Sequence, residues 1–176
     1  MRFRHVSRRG EYYRVADPAW SSPLEGRWSL EAGGRWNPPA AFPVVYLFSR
    51  VDVARSFVLA KHAGQAFSFT DLLPERRPNL VATTVPPDRF VDAVSDAGCK
   101  AAGLPSSYPR DRSGKRVAWE TCRAAGQAAW DQGEAGIACR SATARSRDTG
   151  EELAWFARRR RLRPASVRAF DEWFPA

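Results

Sequence analysis

The chain has 176 residues, the length of about one domain on a prior of roughly 100–200 residues each. With 44% apolar, 12% aromatic and 27% charged residues, its composition excludes disordered and collagen-like classes. Its 28 Lys+Arg against 19 Asp+Glu give a formal charge of +9, and lysine occupies three positions, so 25 of the basic residues are arginine. That balance leaves three partners open: a nucleic acid, an acidic protein, or a phosphorylated ligand.

No stretch approaches the roughly 20 apolar residues of a membrane span, and the N-terminal MRFRHVSRRGEYYRV has no apolar signal core. A cytoplasmic protein with no membrane partner is the expectation. Cys99, Cys122 and Cys139 are odd in number and widely spaced, which suits neither a disulfide framework nor a zinc site, and no metal is expected. No linker or solenoid-length repeat divides the sequence, so residues 1–176 read as one domain.

In chain order, Tyr12–Ala16 predicts a strand, followed by a loop through Pro18–Arg27 and the turn Gly33-Gly34-Arg35-Trp36-Asn37-Pro38-Pro39. Val44–Phe48 is a compact apolar run that suits a buried strand. Ser49-Arg50-Val51-Asp52 has the form of a capping box, predicting a helix over about 50–62. Asn79–Val85 predicts a strand that stops at Pro86-Pro87. After a basic loop at 105–115, Val117–Gln132 predicts a helix with Trp119, Cys122, Gly126, Ala129 and Trp130 on one face. Gly136–Ser141 and Leu153–Ala157 read as short strands, and Val167, Phe170, Trp173 and Phe174 as a packing tail. Strands and helices mix without regular βαβ units, which points to α+β.

The chemistry-bearing candidates are few. The double glycine at 33–34 and the prolines at 38–39 display Arg35 from a rigid turn, a good geometry for a phosphate or pyrophosphate; stacking on Trp36 or pairing with a surface carboxylate is the alternative. Arg14 lies in a strand between aromatic and β-branched neighbours and could equally face solvent. Tyr46 is either a core residue or a wall of a site. Ser141 has no histidine nearby to activate it, so it is no serine nucleophile. The block Arg158–Arg161 with Arg163 is either a phosphate-neutralising patch or a solvated, partner-facing surface.

Together, Tyr13-Arg14, GGRWNPPAAFPVVYL at 33–47, AWETCRAAGQAAW at 118–130, GIACRSA at 136–142 and ELAWF at 152–156 resemble the RES domain family, NAD-consuming toxins paired with helix-turn-helix antitoxins. The resemblance implies an ADP-ribosyltransferase-like α+β fold, a mixed sheet with flanking helices and an NAD cleft. It also implies cleavage of the nicotinamide–ribose bond, with phosphate, water or a protein as acceptor. Carried over by motif, Arg14 and Arg35 contact NAD, Tyr46 is a cleft aromatic, and Ser141 is a hydrogen-bonding residue.

One position departs. The family's glutamate lies eleven residues beyond the motif tyrosine, which is Phe57 here. Asp52 is five residues earlier, roughly 140° round the same helix, and Glu120 on the later helix is the other substitute considered. The implied function is an NAD-degrading toxin with NAD as substrate and a helix-turn-helix antitoxin as partner; a second copy of the chain, in a homo-oligomer, is the further partner considered. The alternatives are an impaired RES-like module that binds NAD or protein, and a basic nucleic-acid-binding domain.

Overall fold

The computed structural model describes residues 1–143, 150–158 and 161–174. The apolar run Val44–Phe48 forms strand β2 between β1 (His5–Ala16) and β5 (Glu151–Phe156). Successive strand residues point to opposite faces, so Val45 and Leu47 enter one core while Val44 and Tyr46 join another. The remaining strands are β3 (Asn79–Ala93), β4 (Gly136–Arg140) and β6 (Pro164–Arg168). The order is β1-β2-β5-β4-β3-β6, and β1 pairs with β3 as well as β2, so the sheet closes on itself. It is mixed: β3 and β4 run parallel and the other pairs antiparallel.

Among the described residues, five α-helices flank it: α1 (Arg27–Ala32), α2 (Val51–His62), α3 (Asp96–Ala101), α4 (Trp119–Asp131) and α5 (Phe170–Trp173). The interior of the closed sheet is filled by Leu47, Val81, Val85, Phe90, Leu153 and Trp155. A second core lies under α4, whose Cys122, Ala125, Gly126 and Ala129 are buried. A third lies between α2 and α5, where Trp173 is fully buried, donates to the Pro78 carbonyl at 3.2 Å, and has its own carbonyl bonded by Arg55 at 2.7 Å. Each large side chain buried in this way contributes about 1.5–3 kcal/mol.

The α+β expectation holds, and several local expectations do not. β3 continues through Pro86-Pro87 to Ala93. The prolines fall opposite a bulge in β1 between Arg8 and Gly10, where Gly10 has φ +99°, and on the other edge they lie between the stretches paired with β6 and with β4. No ladder bond is required of them there. The capping box at 49–52 does not form: Arg50 is the cap residue, Asp52 pairs with Arg50 at 2.9 Å, and the Ser49 hydroxyl instead accepts the Glu151 N–H at 3.2 Å. α1, α3 and β6 are short elements that no clear periodicity marked. Of the arginine block, Arg159 and Arg160 lie outside the described residues. No helix among the described residues is long and apolar enough to cross a membrane.

Candidate active site

The turn at 33–39 is built around two buried polar groups. Asn37 is fully buried, and its amide donates to the Ser29 and Phe42 carbonyls at 2.7 and 3.0 Å. Its Oδ1 accepts the Tyr46 hydroxyl at 2.7 Å, and that hydroxyl in turn accepts the Trp36 N–H at 2.9 Å. Every hydrogen-bonding group of the Asn37 side chain is thus engaged, which removes the penalty of burying it. Two close approaches fix the rest. A β-carbon on Gly34 would collide with the Tyr46 ring, and one on Gly126 of α4 with the Trp36 carbonyl. Arg123, also from α4, donates to the Gly34 carbonyl at 2.9 Å.

This turn forms one wall of a cleft of about 410 Å³, within the range of small-molecule sites. Arg14 from β1, Arg35 from the turn, Tyr46 from β2 and Phe57 from α2 all line it, so residues far apart in sequence converge. Trp20, Trp28 and Trp119 supply aromatic surface; the first two stack with centroids 5.1 Å apart and planes at 10°, and Trp119 stands 47% exposed at the rim. Four cations line the cleft, Arg14, Arg35, Lys61 and Arg116, against one carboxylate among the described residues, Glu152.

Arg14 is buried, with its guanidinium 5.1 Å from the Trp20 ring and one bond to the Glu25 carbonyl at 3.3 Å. Burial pulls its pKa down to about 10. Arg35 keeps one buried terminal nitrogen without a hydrogen-bond partner among the described residues. Burial works against its charge, but the neighbouring Tyr108 phenol and Glu152 carboxylate more than offset this and hold its pKa above the ordinary value. Both arginines are therefore charged at neutral pH and, among the described residues, incompletely paired, the condition in which an anionic ligand gains most.

Ser141 does not line the cleft. It is buried at the end of β4, and its hydroxyl donates to Glu152 Oε1 at 2.7 Å. The two carboxylates weighed as substitutes for a glutamate at 57 fall elsewhere: Asp52 is exposed and paired with Arg50, and Glu120 is exposed on the first turn of α4. Neither lines the cleft. Glu152, read from sequence only as the head of an apolar strand, does. The signal that could have found it is Glu151-Glu152 itself, since two successive glutamates in a strand cannot both face solvent on a two-sided buried sheet. Among the described residues no group of three or more His, Cys, Asp or Glu could hold a metal ion.

A larger depression of about 640 Å³ opens on the opposite face of β2, where Val45 and Trp155 point, beside Arg27, Arg158 and Arg161. None of Arg14, Arg35, Tyr46 and Ser141 lines it.

A mixed, closed sheet carrying an arginine-rich cleft behind a GGRWN turn defines the class, and the chain belongs to the RES domain family, whose model matches residues 8–175. Among characterised proteins it is similar to the NAD(+) phosphorylase MbcT of Mycobacterium tuberculosis (strain H37Rv), 32% identical over 110 residues, and to MbcT of Mycobacterium bovis at the same identity. Those matches take in 61% of this chain and 54% of the relative, so they span about half the length of the curated relatives. The fold is similar to that in the crystal structure of the M. tuberculosis MbcT–MbcA toxin–antitoxin complex, with a TM-score of 0.71, 23% identity, and coverage of 93% of this chain and 85% of that one.

Proposed function

We propose that this cleft binds NAD and cleaves the bond between nicotinamide and ribose, with inorganic phosphate as the acceptor of first choice. The observation that carries this reading is a pair of arginines in an aromatic-walled cleft, Arg14 buried and Arg35 half-buried with one buried nitrogen, both under-paired among the described residues. Such cations suit the pyrophosphate of a dinucleotide, and planar walls suit its bases. Family membership and the similarity to NAD(+) phosphorylase MbcT point the same way.

In this reading Arg14 and Arg35 hold the phosphates. Tyr46 presents its ring to the ligand while its hydroxyl keeps the turn closed, and Ser141 acts through hydrogen bonding rather than as a nucleophile. Nicotinamide leaves neutral as positive charge grows on the ribose, so the protein's work is positioning and electrostatic stabilisation. The whole of 1–176 acts as one RES unit, in the cytoplasm where NAD is at hand. A helix-turn-helix antitoxin that covers the cleft is its proposed partner, with acidic residues facing the basic surface. Direct nucleic-acid binding is not favoured, because charge alone speaks for it.

The test is to incubate the purified protein with NAD, with and without phosphate, and to follow free nicotinamide and the phosphorylated ADP-ribose product. Phosphate-dependent release is expected. Saturable NAD binding with no release above a buffer control would instead leave a binding module.

A further inference from the structure

The cleft concentrates cations, yet the proposed reaction generates positive charge at the ribose, so an anion must stand close to that carbon. Among the described residues one carboxylate lines the cleft, Glu152. Its neighbour shows how the strand divides the work. Glu151 points to the other face of β5, where it pairs with Arg8 at 2.5 and 2.7 Å and meets the Tyr12 hydroxyl. Glu152 takes the cleft face, cross-strand from Phe48 on β2 and from Cys139 on β4.

Glu152 is also held in a fixed geometry. Oε1 accepts the Ser141 hydroxyl at 2.7 Å and the Ala142 N–H at 3.3 Å, and Ser141 Oγ is itself bonded by the Thr143 N–H at 3.2 Å. Oε2 has no hydrogen-bond partner among the described residues. A carboxylate with one oxygen anchored and the other without a hydrogen-bond partner among the described residues, on a strand in the floor of a cleft, is preorganised to meet a ligand.

We propose that Glu152 is the catalytic anion of this site, with Ser141 as its positioning residue: Oε2 contacts the ribose and stabilises the positive charge at its anomeric carbon. This rests on the NAD-cleaving reading above. The bond from the nicotinamide nitrogen to the anomeric carbon breaks, and its electron pair stays on the nitrogen, which becomes neutral. A phosphate oxygen then forms the new carbon–oxygen bond. Where water is the acceptor instead, its proton passes to solvent. Glu152 stays ionised throughout and forms no bond.

The electrostatic setting gives a readout beyond rate. Burial pushes the Glu152 pKa up, while the Ser141 hydrogen bond and the Arg35 and Arg116 charges work against the rise; the Tyr108 phenol and the Cys139 thiol are the other titratable groups facing it. Activity should therefore fall on the acid side at a pH above the ordinary glutamate range. Removing the Ser141 hydroxyl should move that limb up by about one further pH unit, the size expected for a hydrogen bond to a charged group.

The experiment measures nicotinamide release, its pH profile and NAD binding for the full chain and for Glu152→Gln, Ser141→Ala and Glu151→Gln. Glu152→Gln is expected to lower kcat by about 100-fold or more and to bind NAD within about threefold of the native protein. Ser141→Ala should lose less activity and show the shifted acid limb, and Glu151→Gln should keep kcat. Should Glu152→Gln fail to fold, the Ser141→Ala limb decides, and an unmoved limb overturns the proposal. Native-like turnover in folded Glu152→Gln overturns it alone, whereas no release by the native chain overturns the NAD-cleaving reading and this one with it.

Discussion

The Tyr46 ring occupies the space that a β-carbon on Gly34 would need. That contact joins the turn carrying Arg35 to the strand in the floor of the cleft, and the Tyr46 hydroxyl completes the link through the Trp36 N–H and Asn37 Oδ1. Gly34→Ala should therefore displace the phenol and open the turn. We expect a loss of about 1–3 kcal/mol from overpacking, read by urea denaturation, together with loss of NAD binding in titrations of the folded variant. Tyr46→Phe makes a cleaner companion. It keeps the ring and leaves a buried N–H and a buried amide oxygen without their partner, at a cost of about 1–3 kcal/mol.

Arg14 should trade stability for ligand affinity. Its pKa of about 10 lies below the usual guanidinium value because burial penalises the charge. Below pH 10 the folded protein bears that cost in full. The cost is relieved as pH rises through 10, because the folded form gives up its proton before the unfolded chain does. Arg14→Met should accordingly raise the Tm in ligand-free buffer at pH 7. Pyrophosphate at 100 times its Kd should stabilise the native protein by about 2.7 kcal/mol, or about 5–10 °C for a chain of this length. The same addition should leave Arg14→Met unmoved. A scan with both proteins, with and without pyrophosphate, checks both halves.

Glu152 should show a related trade with the opposite charge. Its pKa is raised in the folded state, chiefly by burial. Stability tied to its protonated form is present below the ordinary glutamate value and is lost as pH rises through the raised one. Glu152→Gln keeps the acceptor for the Ser141 hydroxyl and removes the buried charge. It should be the more stable protein at pH 7–8, and its advantage should shrink toward pH 4. Paired thermal melts across that range give the answer without any assay of activity.

What the sequence could disclose follows from how far each signal is local. The apolar run at 44–48 and the double glycine at 33–34 mark β2 and the turn directly, because burial and close approach restrict residue type at those positions. Motif order, not periodicity, points to the convergence of Arg14, Arg35 and Tyr46 on one cleft. From sequence, β3 ends at Pro86-Pro87, because nothing local to that strand reports the bulge in β1 that excuses the prolines. Helix α1 has six residues, of which only Ser29 is buried, so it has no apolar stripe to read. Glu152 was hidden by its company: Leu153, Ala154, Trp155 and Phe156 are all buried, and an apolar run invites the inference that its polar head is a strand end.

Phe57 offers the sharpest test of how the cleft is organised. The ring lines the cleft and packs on Phe48 with centroids 5.1 Å apart, and Phe48 is the cross-strand neighbour of Glu152. Position 57 on α2 and position 152 on β5 thus approach the same ring from two sides. A carboxylate introduced by Phe57→Glu should reach the ribose that Glu152 is proposed to meet. In the Glu152→Gln background it should recover nicotinamide release at least tenfold over the single variant, while costing about 1 kcal/mol in lost ring contact. In the otherwise native chain the two carboxylates would raise each other's pKa, so the acid limb of activity should move to higher pH. A folded double variant with no recovery would put position 57 out of reach of the ribose, leaving β5 rather than α2 as the strand or helix from which this cleft takes its acid.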